Sequence, residues 1–240
     1  MRAAIFIACT ALAGGALAAP LAQCQAKSAA TLTPVVEVYT SEGCSSCPPA
    51  DKWLGKLKDD AAKGLVVAQG FHVGYWDYIG WVDRFANPLH TDRQRMVASW
   101  NRLPSIYTPQ IVRNGQDWRD ERVVLAPEPA RATIEVRRTG DDAFTASVTP
   151  GEGVGAWAAY WTVTEHGHGS KVKAGENAGE FLEHDFVVRQ YVPAGDRRGA
   201  ASLTLRTLAA HADHPRQVNI VVFDPKNGKT LQALSLNCGT

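Results

Sequence analysis

Apolar and polar positions along this chain change rhythm part-way. Val35-Val36-Glu37-Val38-Tyr39 is a β-branched, largely apolar run and predicts a buried strand. After Pro48-Pro49, residues Trp53, Leu54 and Leu57 fall on one face of a helix. Proline fits only a helix's first turn, where the backbone lacks N–H partners, so this helix starts beside Cys44 and Cys47. Leu65-Val66-Val67-Ala68 predicts a second strand behind Gly64, and Thr91 to Arg102 a helix with Met96, Val97 and Trp100 as its spine. Ile111-Val112-Arg113 is a third strand that ends in the turn pair Asn114-Gly115.

Beyond Ala126-Pro127-Glu128-Pro129-Ala130, which reads as a linker, apolar residues recur with period two. Ile134/Val136, Phe144/Ala146/Val148, Trp157/Ala159/Trp161/Val163 and Val188/Val192 each suggest a strand. So do Leu203/Leu205, Val218/Ile220/Val222 and the run from Leu231 to Leu236, about seven in all. Gly140-Asp141 and Asn227-Gly228 punctuate hairpins. The expected organisation is an α/β domain over 31–126 followed by an all-β antiparallel sandwich of immunoglobulin or fibronectin type over 130–240.

The first residues read as a secretory leader, 1–18. Met1-Arg2 is followed by an apolar stretch to Leu17, and Ala16-Leu17-Ala18 is a small-x-small cleavage site. Leu21-Ala22-Gln23-Cys24 loosely resembles a lipidation box, with Gln23 where a small residue is wanted, so cleavage near Ala18 ranks above lipid anchoring at Cys24. The expected location is periplasmic or secreted. No later segment is apolar for long enough to span a bilayer. A net charge of +1 without Lys/Arg runs argues against a nucleic-acid partner.

Of five cysteines, Cys9 leaves with the leader, and Cys24, Cys44, Cys47 and Cys238 remain. Export favours disulfides. Four cysteines allow three connectivities; pairing the neighbours Cys44 and Cys47 leaves Cys24 to Cys238, a tie between the two ends of the mature chain. Two unpaired thiols is the alternative.

Cys44-Ser45-Ser46-Cys47 carries the candidate chemistry. It follows a strand and precedes a helix, whose dipole and free N–H groups stabilise a thiolate at Cys44. Cys44, nearer solvent, would attack a disulfide, and Cys47 would resolve the mixed disulfide. The hydroxyls of Ser45 and Ser46 can hydrogen-bond the thiolate. Glu37, on the strand leading to the site, could act as a base, although a simply paired glutamate is the more frequent outcome. His72 and Trp76, with Asp77 and Trp81, could wall the site, or the aromatics could only fill a core beneath a long loop.

Tyr39-Thr40-x-x-Gly43-Cys44-x-x-Cys47 and Thr108-Pro109-Gln110-Ile111 through Asn114-Gly115 resemble the thioredoxin superfamily, most closely its glutaredoxin pattern. The resemblance implies a thioredoxin-like fold for 31–126. It also implies a cis Pro109 against the cysteine pair, with the backbone at Thr108 and Pro109 offered to an extended substrate. Over Val36 to Asp51, His72 to Trp81, Tyr107 to Gln110 and Gly175-Glu176-Asn177, the chain is also similar to a family of secreted thioredoxin-like bacterial proteins without an assigned reaction. That likeness implies chemistry only by analogy.

The expected activity is thiol–disulfide exchange on protein thiols or disulfides, needing no cofactor and no metal. Two other readings stand beside it. Cys44, Cys47 and His72 could hold copper(I) or zinc, or Cys44–Cys47 could be a structural disulfide in a non-catalytic binding module. His166-Gly167-His168 is a weak metal-like doublet, read as exposed histidines in a glycine-rich loop.

Overall fold

The computed structural model describes residues 24–119 and 125–238. The expected leader and its cleavage point lie outside these residues. Strand β1 (Gln25–Lys27) is followed by β2 (Val35–Thr40), helices α1 (Pro48–Gly55) and α2 (Lys58–Ala62), and β3 (Val67–His72). A short 3₁₀ turn at Asp77–Ile79 precedes α3 (Pro88–Trp100), β4 (Gln110–Arg113) and β5 (Gln116–Asp117). Strands β2 and β3 run parallel, and β4 is antiparallel to β2 with Tyr39 opposite Gln110.

The alternation along β2 decides which helix lies on which face. Val36 and Val38 pack with Leu54, Leu57 and Ala61 of the α1–α2 layer, whereas Tyr39 packs with Val97 of α3. Asn87 caps α3 by accepting from the Leu89 N–H, and Pro88 occupies the first turn. The second strand lies two residues later than the apolar run suggests, because Leu65 is exposed and Phe71 carries the burial onward.

After residue 130 come β6 (Ala132–Gly140), β7 (Ala143–Pro150), β8 (Trp157–Glu165), β9 (His168–Lys171) and β10 (Phe181–His184). The chain ends through β11 (Val187–Arg197), β12 (Ala201–Arg206), β13 (Arg216–Phe223) and β14 (Thr230–Leu236). Four strands form one antiparallel sheet in the order β1-β6-β7-β12. Strands β8, β11, β13 and β14 extend the first sheet to eight strands, β14-β13-β8-β11-β3-β2-β4-β5, and β9 and β10 pair as a separate antiparallel hairpin. The join is narrow: Val187 pairs with Gly70, and the Gly70 N–H donates to the Phe186 carbonyl at 2.7 Å.

Ile134, Phe144, Trp157, Trp161, Leu203 and Ile220 form the core between the two sheets. Strand β8 is buried along its whole length. Its second face, Ala158 and Tyr160, packs with Val35, Val67 and Phe223 near Trp100 of α3. Cys24 and Cys238 are disulfide-bonded and lie against the inter-sheet core. Among the described residues no helix is long and apolar enough to cross a membrane.

The reading of His166-Gly167-His168 as an exposed loop is overturned. His168 begins β9 and is 6% exposed, its Nε2 2.8 Å from a Glu165 carboxylate oxygen and its ring stacked on His214 at 3.7 Å between ring centroids. Gly167, at φ +70°, makes the turn that brings it there.

Candidate functional site

Strand β2 delivers Ser41-Glu42-Gly43 to the edge of the sheet, and α1 begins immediately after Cys47, its N-cap. Cys44 and Cys47 are disulfide-bonded across this step, with Cα atoms 5.4 Å apart. The Cys47 N–H donates to the Cys44 carbonyl at 3.2 Å, and the Ala50 and Asp51 N–H groups return to the Cys47 carbonyl. Ser46 Oγ lies 3.4 Å from Cys44 Sγ, while Ser45 is turned to Glu176.

Cys44 is 1% exposed and Cys47 is fully buried. The expectation that Cys44 faces solvent is therefore corrected, and the loop between β9 and β10 is fastened to the backbone around it. Asn177 from this loop donates to the carbonyls of Glu42 (2.8 Å) and Cys44 (3.0 Å), and the Glu176 carboxylate accepts from the Ser45 N–H at 2.9 Å. On the other flank, Trp76 packs on Gly43 so closely that a Cβ there would lie 3.1 Å from the Trp76 Cβ. The Trp76 indole N–H donates to Thr108 Oγ1 at 2.7 Å, which links Thr108 to the cysteine loop, and the Thr108–Pro109 peptide is cis.

Beneath the loop lies a buried polar cluster. Glu42 accepts from the Trp81 indole at 2.7 Å and lies 3.2 Å from His184 Nε2. Asp51, in the first turn of α1, accepts from Thr40 Oγ1 at 3.0 Å; its carboxylate is 3.5 Å from His184 Nδ1, an ion-pair distance. Burial works against a charged imidazole, yet the contacts with Asp51 and Glu42 prevail and raise His184 to about 9. Burial likewise pushes Glu42 up, but His184, Ser170 and Trp81 hold it below the ordinary glutamate range.

His72 is turned onto Asp83 at 2.7 Å. The 3₁₀ turn ends at Gly80 with φ +106°, and the returning chain places Asp83, whose N–H donates to Asp77, under the ring. Burial would raise the Asp83 carboxyl, but His72 and the Glu42 and Phe85 N–H groups hold it down at about 2. Among the described residues no three His, Cys, Asp or Glu side chains converge as metal ligands, so His72 is not gathered with the cysteines.

Glu37 is not brought to the sulfurs either. Its carboxylate takes both Nε and a terminal nitrogen of Arg93, together with the hydroxyls of Tyr39 (2.6 Å) and Tyr160 (3.1 Å), on the α3 face of the sheet. Glu42, Asp51, His184 and Asn177 are the neighbours that sequence reasoning did not select. Glu42 and Asp51 stood inside the quoted motif, and Asn177 inside Gly175-Glu176-Asn177, but nothing in the sequence placed those segments together.

A protein-family model described as a protein of unknown function, DUF1223, matches residues 35–223, which span all of these side chains. The chain belongs to the DUF1223 family. No curated protein matches it in sequence. Among solved structures it is similar to protein AGR_C_4864 from Agrobacterium tumefaciens, at 22% identity and a TM-score of 0.67, over 87% of this chain and 95% of that one. It is also similar to HBP35 of Porphyromonas gingivalis, at 14% identity and a TM-score of 0.61, over 88% and 76% of the two chains. At these identities the likeness speaks for the fold alone.

Proposed function

We propose that the chain is an exported thiol–disulfide exchange protein, thioredoxin-like over 31–126, that acts through Cys44 and Cys47 on protein thiols or disulfides. One observation carries this reading: the Cys44–Cys47 bond sits where β2 ends and α1 begins, flanked in sequence by Glu42 and Asp51, which both meet the buried His184. Buried ionic groups are costly to maintain, and a cluster of them carried by the segments on either side of a disulfide marks a functional site. The parallel β2–β3 pair with its intervening helices, and β4 beginning just after Pro109, support the thioredoxin-like assignment. Two disulfides are consistent with an oxidising compartment and so with export.

The exchange reading requires the β9–β10 loop to lift, since both sulfurs are covered. That burial favours a second reading, a structural disulfide in a binding module. Loop length weighs against it: by chain entropy a closure of only three residues contributes about 2 kcal/mol, less than half that of the 214-residue closure between Cys24 and Cys238.

The test is equilibration of the folded protein in dithiothreitol and glutathione buffers, with acid quench, alkylation and mass analysis of Cys44 and Cys47. Exchange predicts a reversible couple between the thioredoxin and periplasmic-oxidant potentials. It also predicts that a Cys47→Ala variant traps mixed disulfides at Cys44. A bond that opens only when the protein is denatured would sustain the structural reading instead.

A further inference from the structure

The hairpin that covers the cysteines also sends a side chain behind them. His184, the last residue of β10, is 3% exposed and reaches between two carboxylates that bracket the disulfide in sequence. Glu42 stands two residues before Cys44, and Asp51 four residues after Cys47. The Asp51 N–H donates to the Cys47 carbonyl, so Asp51 lies one helical turn above Cys47 on the same face of α1.

We propose that His184 is a positioning residue of the exchange site: its positive charge offsets Glu42 and Asp51 and so lets thiolate develop at Cys44 and Cys47. This rests on the exchange reading above. The groups facing His184 are Glu42 from the loop after β2, Asp51 from α1, and His72 from β3, whose ring lies 4.8 Å away edge-on and is held by Asp83. The Phe85 ring completes the enclosure without charge. With His184 removed, Glu42 and Asp51 would lie uncompensated in a site closed to water.

The chemistry shows where that charge matters. A thiolate of an external dithiol attacks Cys44 Sγ; a new S–S bond forms, the Cys44–Cys47 bond breaks, and its electron pair leaves on Cys47 as thiolate, which takes the proton of the dithiol's second thiol. The second thiolate of the dithiol attacks its partner sulfur in the mixed disulfide, closes the external disulfide and releases Cys44 as thiolate. Two electrons pass from the dithiol to the cysteine pair. Both departing sulfurs develop negative charge on the segment bounded by Glu42 and Asp51, and His184 lowers the cost at each departure.

The test uses reduced, folded protein and the pH dependence of Cys44 alkylation, with the potential against dithiothreitol as a second readout. His184→Gln should raise the alkylation midpoint by about one pH unit and make the couple more reducing. Adding Glu42→Gln to His184→Gln should return both towards wild type, a rescue that a purely structural role would not produce. If His184→Gln fails to fold, Glu42→Gln and Asp51→Asn with His184 intact must each lower the midpoint. Equal midpoints in wild type and these variants overturn the role of His184 while leaving exchange standing. A wild-type disulfide that no dithiol opens in the folded protein overturns both.

Discussion

Asn177 and Cys44, 133 residues apart, are joined by a hydrogen bond from the Asn177 amide to the Cys44 carbonyl. The same amide nitrogen also reaches the Glu42 carbonyl, so one buried side chain fixes the backbone on both sides of Gly43. The loop between β9 and β10 thereby clasps the backbone on both sides of the buried disulfide, and lifting this loop is the opening that exchange at the sulfurs requires.

That relationship makes Asn177→Ala informative. Two amide hydrogen bonds are lost, each with a net contribution of about 1 kcal/mol. The loop should lift more often, and reduction of the native disulfide by dithiothreitol should accelerate by roughly thirtyfold. Glu176→Ala, which removes one exposed contact to the Ser45 N–H, should change the rate far less. An unchanged reduction rate in a folded Asn177→Ala protein would mean that the loop does not control access.

Much of the path to this site was legible in local pattern. The apolar run at Val35–Tyr39 and the proline pair fix a strand and a helix start, and with them the place of Cys44 and Cys47. What local pattern lacks is the partner of each face. Period-two alternation in β8 implies a solvent face, yet Thr162 and Thr164 are buried and held by Gln69 and Asn219. Similarly, Asn114-Gly115 and Asn227-Gly228 each announce a turn, but not that the turns touch: a Cβ on Gly115 would lie 1.9 Å from the Gly228 carbonyl oxygen. The hairpin of β9 and β10 escaped notice because its residues, His168-Gly169-Ser170-Lys171 and Phe181-Leu182-Glu183-His184, show little apolar alternation. Its burial comes from histidines that pair with carboxylates, a pattern set by tertiary contacts.

Arg93 tests whether Glu37 serves structure alone. Its guanidinium is 4% exposed, paired with Glu37 and laid over the Tyr160 ring at 3.9 Å. Arg93→Met leaves the Glu37 carboxylate buried without its cation, and breaking such a pair costs about 3–5 kcal/mol. Chemical denaturation should register that loss, and Glu37→Gln in the same background should recover part of it. Because Glu37 sits on the α3 face, away from the sulfurs, the pH midpoint of Cys44 alkylation should stay where it is in wild type. Movement of that midpoint would restore Glu37 as a candidate base.

His184 ties the site to the stability of the whole fold. Its folded value, about 9, lies above the 6.5 of a free imidazole, so protonation favours the folded state. The contribution is fully present below about pH 6.5 and disappears as pH rises through 9. A separation of this size corresponds to about 3 kcal/mol. Asp83, held near 2, acts in the opposite sense: its contribution is present above about pH 4 and is lost as pH falls through 2. Urea titrations at pH 6 and pH 9.5 should therefore show wild type losing stability across the alkaline window, with His184→Gln nearly flat there and both proteins weakening alike in acid. A wild-type stability that holds constant from pH 6 to 9.5 would mean that no buried imidazolium lies between Glu42 and Asp51, and the electrostatic account of the site would go with it.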